Sequence, residues 1–261
     1  MAITGIGRVI FWTGGSLWIG QAITPIAMHS HHAIQVSIGL SGQVRLRSSD
    51  AASWNAYDLA VIPPHLPHSF QAPGETVANL FCEPASALGR GLLHRFGQGR
   101  IVDVNGNEVA KHARGLKLAF DNGSTEDELE EVALDVLYDL SGSVPLSPVD
   151  RRIQVAISFI SANLAGKLSL AALARHVKLS PSRLRHLFVA ETGISFRSYL
   201  LWTRLNRALD LGFGGASWTD AAHATNFADS AHLSRTARRM YGIAPSSIRP
   251  TAPSTQRPMT A

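Results

Sequence analysis

Cysteine is nearly absent from this chain: Cys82 stands alone among 261 residues. That excludes an internal disulfide framework and suits a reducing compartment. Long apolar runs are missing as well, for no stretch approaches the roughly 18 residues that a membrane-spanning helix requires. The first 22 residues are moderately apolar but are interrupted by Thr and Gly and lack a basic start, so no signal peptide is expected. No polar or low-complexity tract argues for disorder. Catalytic signatures are equally scarce. Cys82 has no base beside it in sequence, and neither a phosphate-cradling Gly loop nor a nucleophile elbow is present. These absences predict a cytoplasmic, non-enzymatic chain with no membrane partner, long enough for two domains that each bury a core.

What is present is unevenly distributed. Residues 151–249 hold 14 Lys or Arg against 4 Asp or Glu, a balance of +10, whereas residues 1–150 hold 9 against 15, a balance of −6. A basic half joined to an acidic half is what a nucleic-acid module fused to a second domain should show. Charge alone fits a membrane-surface module or one for acidic protein partners equally well.

The patterning divides the chain further. From Gly14 to Cys82, short runs such as Ile34-x-Val36-x-Ile38, Val44-x-Leu46 and Leu59-x-Val61-Ile62 are punctuated by Gly39 to Gly42 and by Pro63-Pro64. Period-2 alternation at this spacing predicts an antiparallel sandwich or barrel. Residues 85–120 give no clear pattern. Between Glu128 and Leu140, Leu129, Val132, Val136, Leu137 and Leu140 recur at helical spacing against Glu130, Glu131, Asp135 and Asp139. This predicts an amphipathic helix, either packed on its own domain or forming a dimer seam. Residues 141–148 read as a linker, Asp150 to Tyr241 as helices, and the Pro/Ser/Thr-rich end from Pro250 as a frayed tail.

Within the basic half two helix-turn-helix units can be read. In the first, Leu170, Leu173 and Ala174 form the inner face of a short helix that ends near His176. A turn through Val177-Lys178-Leu179 follows, and Ser180-Pro181 restarts a helix with Leu184, Leu187 and Phe188 inward. Serine suits the N-cap and proline the first helical position, where its missing N–H is not needed. Ser182, Arg183, Arg185 and His186 then lie outward, able to reach base edges or phosphates. Forty-eight residues later the pattern recurs: Trp218, Ala221 and Ala222, a turn through Asn226, Asp229 as cap, and Ser230, Ala231, His232 and Arg235 outward. Arg238 and Arg239 follow, better placed for phosphates. A helix from Phe196 to Leu211 joins the units; at 1.5 Å per residue it spans roughly 24 Å, on the order of the ~34 Å between successive major grooves.

The run Leu170-x-x-Leu173-Ala174, Leu179-Ser180-x-x-x-Leu184-x-x-Leu187-Phe188, Glu191-Thr-Gly193-x-Ser195-Phe196, Arg204-Leu205-x-x-Ala208, Asn226-Phe227-x-Asp229 and Tyr241-Gly242-x-x-Pro245-Ser246-x-x-Arg249 resembles the DNA-binding domain of the AraC/XylS family of bacterial transcription regulators. The resemblance covers residues 150–249. It implies double-stranded promoter DNA and RNA polymerase as partners, with Ser182, Arg185 and His186, then Ser230, Ala231 and Arg235, at base-reading positions. Lys178 and Asn226 stand where the family usually has Gly, and Ala237 replaces a customary large residue, a change expected to loosen the second unit by a few kcal/mol if nothing fills the space.

Residues 10–85 resemble the cupin-like sensory domains of the same family. His29, His31 and His32, with Gln35, and then His65 and His68 form a histidine group. His29, His31 and His68 follow the order of metal ligands in metal-binding cupins, and Gln35 falls near the place of a carboxylate. Three readings stand: a small-molecule effector pocket without metal, hydrogen-bonded structural histidines, or a metal site. The last brings with it a metal sensor or a cupin-type enzyme such as a dioxygenase, which leaves the basic half unexplained. The expected layout is an α+β two-domain chain. A cupin-like barrel occupies 1–125, a helix and linker 126–149, an all-α domain with two helix-turn-helix units 150–250, and a tail 251–261. The barrel is expected to bind an effector through those six residues, with no cofactor or metal assigned, or to hold a homodimer, for which the amphipathic helix offers a seam.

Overall fold

The computed structural model describes residues 3–142 and 148–251, so the centre of the expected linker and nearly all of the expected tail lie outside the described residues. The chain divides into two compact units, Met1–Val144 with Arg235–Thr255 and Pro145–Ser234.

The first unit is built on two sheets. The larger holds β10 (Val102–Asp103), β7 (Leu59–Ile62), β4 (Ile34–Gly39), β9 (Thr76–Cys82), β2 (Gly15–Ala22), β1 (Gly5–Trp12) and β11 (Ile248–Pro250) in that order. The smaller holds β3 (Ile26–His29), β8 (His68–Gln71), β5 (Val44–Arg47) and β6 (Asn55–Tyr57). The expected barrel is therefore not closed; it is an open pair of sheets, antiparallel except where β11 lies parallel to β1. The expected strands begin at Gly14, and β1 precedes them.

Three helices cover the outer face of the large sheet: α1 (Ala87–Phe96), α2 (Asn107–Asp121) and α3 (Glu126–Ser141). Ile34, Val36 and Ile38 of β4 meet Leu92, Leu116, Leu129, Val136 and Leu137 in one core. A second core, with Val44, Leu46, Ala60, Ile62 and Phe70, fills the space between the sheets. Both faces of β4 are thus buried, which is why Gln35 and Ser37 are as enclosed as their apolar neighbours. The patternless stretch 85–120 supplies α1, β10 and α2. Thr125 caps α3 through a reciprocal pair of bonds with Glu128, at 2.7 and 3.2 Å, satisfying two free backbone N–H groups at once.

The helical half comprises α4 (Arg151–Ala162), α5 (Leu170–His176), α6 (Pro181–Thr192), α7 (Phe196–Phe213), α8 (Trp218–Ala224) and α9 (Ser230–Tyr241). Ile153, Ala156, Ile160, Leu173, Ala174, Leu184, Phe188 and Tyr199 make one core beneath the first helix-turn-helix, α5 and α6. The 18 residues of α7 span about 27 Å. After α9 a single 3-10 turn, Pro245–Ser247, leads into β11.

Candidate nucleic-acid interface and ligand pocket

Both helix-turn-helix turns are made the same way. Lys178 and Asn226 have left-handed backbones, φ 55° and 60°. In each turn the next residue's N–H reaches back five places: Leu179 N to Ala174 O and Phe227 N to Ala222 O, both 2.9 Å. This closes the helix end on its own carbonyls and reverses the chain sharply. Ala174 and Ala222 are fully buried where the short helices cross. The second helices then start on side-chain caps. Ser180 Oγ accepts from Arg183 N at 3.2 Å, and Asp229 Oδ1 accepts from His232 N at 2.6 Å.

With Leu184 and Phe188 inward, Ser182, Arg183, Arg185 and His186 are all exposed on α6. On α9, Ala231, Arg235, Arg238 and Arg239 are exposed, while Ser230 and His232 are half-buried. The His232 ring stands edge-on to Phe227, with centroids 5.2 Å apart, so part of its surface is used in packing. Ala237 is buried. The first helix presents an unbroken polar face; the second presents arginines flanking a small apolar spot.

In the first unit the six expected pocket residues separate into two groups. His29, His31 and His68 converge with Gln35, and the three imidazoles offer ligand atoms within 4.8 Å of one another. His32 and His65 lie apart from them, where His32 Nε2 donates to Glu83 Oε1 at 2.9 Å and its other nitrogen is 3.4 Å from His65 Nε2. In the convergent group each Nδ1 is held by a backbone carbonyl: His29 by Ala27 at 2.8 Å, His31 by Ala33 at 2.9 Å and His68 by Leu66 at 2.9 Å. A carbonyl only accepts, so each Nδ1 carries the proton and each neutral ring keeps its lone pair on Nε2. Burial holds all three pKa values below the usual imidazole range, that of His29 at about 3.

Two of those lone pairs face Gln35 Oε1, at 2.9 Å from His31 and 3.2 Å from His68. The Gln35 amide nitrogen donates instead to Ser37 Oγ and Asn79 Oδ1, at 2.8 and 3.1 Å. In this state the Gln35 Oε1 and the two imidazole lone pairs face one another as acceptors. Turning the Gln35 and Asn79 amides together gives a second consistent state, with the Gln35 NH2 donating to both imidazoles. A glutamate could not serve both states. The donor set therefore fits a divalent ion with borderline ligands, although it brings no negative charge.

Beside this group lies a cavity of about 30 Å3 lined by Trp18, His29, Gln35, Asn79, Phe81 and Tyr241, among others. Tyr241 is buried and stacks on Trp18, centroids 4.9 Å apart. Gly242, at φ +72°, packs so closely that a Cβ would come within 2.4 Å of Ile26 and 2.8 Å of His29 Nδ1. Sequence reading missed Asn79, whose partner Ser37 lies across the β4–β9 ladder, and missed Tyr241, which lies 173 positions beyond His68 and carries no local signal of its role.

These features define a two-domain helix-turn-helix protein with a small cavity beside a buried histidine group. Residues 173–251 match the family description "Helix-turn-helix domain". The chain is 36% identical over 104 residues to the arabinose operon regulatory protein of Escherichia coli (strain K12), covering 39% of this chain and 36% of that protein. It is 35% identical over 102 residues to the uncharacterized HTH-type transcriptional regulator YidL of the same organism, covering 39% and 34%. The match thus spans about a third of each relative's length. In fold, the chain is similar to apo ToxT from Vibrio cholerae, with TM-score 0.60, 11% identity, and 92% and 97% of the two chains covered. Unsaturated fatty acid-bound ToxT gives TM-score 0.55, 11% identity and coverage of 89% and 92%. No helix among the described residues is long and apolar enough to cross a membrane.

Proposed function

We propose that this protein is a transcription regulator that binds promoter DNA through α6 and α9, acts on RNA polymerase there, and responds to a guest in the N-terminal pocket. The observation that carries the reading is the pair of identically built turns that present capped, arginine-bearing helices. Arg183 and Arg185 match guanine O6/N7 or phosphate, and the arginines of α9 match phosphate. The test is selection of sites from a randomised duplex pool, with affinity followed against salt. Enrichment of two short elements about ten base pairs apart is the expected result. Affinity that tracks salt alone, with no enriched sequence, would sink the proposal.

Cavity size favours a particular guest. About 30 Å3 has room for an ion or a few waters and is small for a fatty acid of the kind bound by ToxT. Three buried, neutral imidazoles with Nδ1 anchored to carbonyls have the outer-shell arrangement of metal-ligating histidines. When bound there, a divalent ion would supply the positive charge that the converging Nε2 and Oε1 lone pairs lack, held by His29, His31, His68 and Gln35. The metal-sensor reading predicts that His68→Gln abolishes a metal effect on operator affinity while leaving metal-free binding intact. An operator affinity indifferent to metals and chelators rejects it.

A further inference from the structure

A second cluster of possible ligands lies outside both the DNA-reading face and the histidine pocket. Glu108 and His112 stand one turn apart on α2, hence on one face, and Asp139 comes from the last turn of α3, which packs against α2. Their side chains offer ligand atoms within 4.8 Å of one another. His112 is 5% exposed, yet its Nε2 is a buried polar atom with no hydrogen-bond partner, a state that folded chains seldom leave unexplained. That nitrogen lies 3.6 Å from Asp139 Oδ2, too far for a hydrogen bond. Two donors each about 2.1 Å from a shared ion are about 3.4–3.6 Å apart for angles between tetrahedral and trigonal. The gap therefore fits an ion between them.

Lys111 marks the same point. Its Nζ is 3.6 Å from Glu108 Oε2 and 3.6 Å from Asp139 Oδ2, so both carboxylates already gather around a positive charge. The ammonium is two-thirds exposed on a flexible stem and is free to swing aside. Adjoining the cluster is a cavity of about 130 Å3, lined in part by Asn105, Asn107, Glu108, His112 and Asp139, with room for the waters that would complete an ion's shell. Burial lowers the His112 pKa, leaving the ring neutral and its lone pair available near neutral pH.

We propose that Glu108, His112 and Asp139 bind a divalent first-row transition ion in competition with Lys111, clamping the start of α2 to the end of α3. One imidazole with two carboxylates selects such an ion over magnesium or calcium, which prefer all-oxygen shells. The site is independent of the histidine pocket and of DNA binding.

The experiment titrates Co2+ into the full-length protein, reading visible absorption and stoichiometry by equilibrium dialysis. Asp139→Asn removes one charged ligand at a half-exposed position without changing side-chain shape. The number of ions bound is expected to fall by one, whatever the histidine pocket contributes, with the metal-free melting temperature unchanged. Lys111→Met is expected to tighten that same site several-fold. Unchanged stoichiometry and spectrum in Asp139→Asn, or an Lys111→Met variant that binds no more tightly, would overturn the proposal.

Discussion

At the scale of single residues, environment decides what each group can do. Arg185 projects from a capped, rigid helix into solvent, and Arg185→Ala is expected to cost about 1–3 kcal/mol on the selected site and to relax one base position. Equal losses on specific and random DNA would make it a phosphate contact instead. Cys82 is the opposite case: burial pushes its thiol up to about 12, so little thiolate exists at neutral pH. It should resist thiol reagents in the native protein and react once the chain is denatured. The pocket imidazoles tie folding to pH. Their folded pKa values lie below the unfolded value near 6.5, so the unfolded state takes up protons first as pH falls. Their stabilisation is complete above about pH 6.5 and is lost progressively toward pH 3. At pH 5 the loss reaches about 2 kcal/mol for an imidazole as strongly shifted as His29. Thermal melts at pH 7.5 and 5 should show the fall, and His29→Gln should reduce it; equal pH dependence in both proteins would contradict this origin.

At the scale of elements, turns and caps carry the helix-turn-helix geometry. Ser180 and Asp229 were legible as caps because a short polar side chain before an apolar periodic run has few other uses. Asn226 was legible in its turn, since Asn tolerates a left-handed backbone. Lys178 stands where the AraC/XylS resemblance implies glycine, and its φ of 55° shows the backbone making the left-handed turn with a less suitable residue. Relief of about 1–2 kcal/mol of left-handed strain, offset by up to about 1 kcal/mol of extra unfolded-state entropy, makes Lys178→Gly stabilising by roughly 0.5–1 kcal/mol. Equilibrium denaturation measures this, with Lys178→Ala as the control that should gain nothing. Asp229→Ala should cost about 1 kcal/mol and weaken DNA binding more than it lowers overall stability. The half-buried His232 shows what caps and periodicity miss: contact with Phe227 claims part of a side chain that spacing alone assigns to DNA.

At the scale of the whole molecule, the order of the chain and the order of packing differ. Residues 235–255 belong with the N-terminal unit: β11 pairs with β1 over Gly5–Gly7, Thr4 Oγ1 lies 2.7 Å from Ser247 Oγ, and Tyr241 closes the pocket wall beside Trp18. A fragment ending at residue 142 therefore lacks an edge strand and part of its core. It should melt well below the full chain and bind hydrophobic dyes, and fusing residues 235–255 back should restore much of the loss. Equal melting of the fragment with and without that segment would show these contacts to be dispensable.

The sequence by itself determined the basic helical module, both turns, their caps and the outward faces of α6 and α9, because local periodicity and capping chemistry act within a few residues. It also determined that histidines would gather near β4, since His29, His31 and Gln35 are neighbours in the chain. Only the tertiary structure decided that the sheets stay open, that β4 is buried on both faces, and that His32 and His65 leave the pocket. It alone brought Asn79 and Tyr241 in and set His112 against Asp139. Those outcomes depend on contacts between residues tens to hundreds of positions apart, where burial and hydrogen-bond satisfaction are settled and where no local pattern carries a signal.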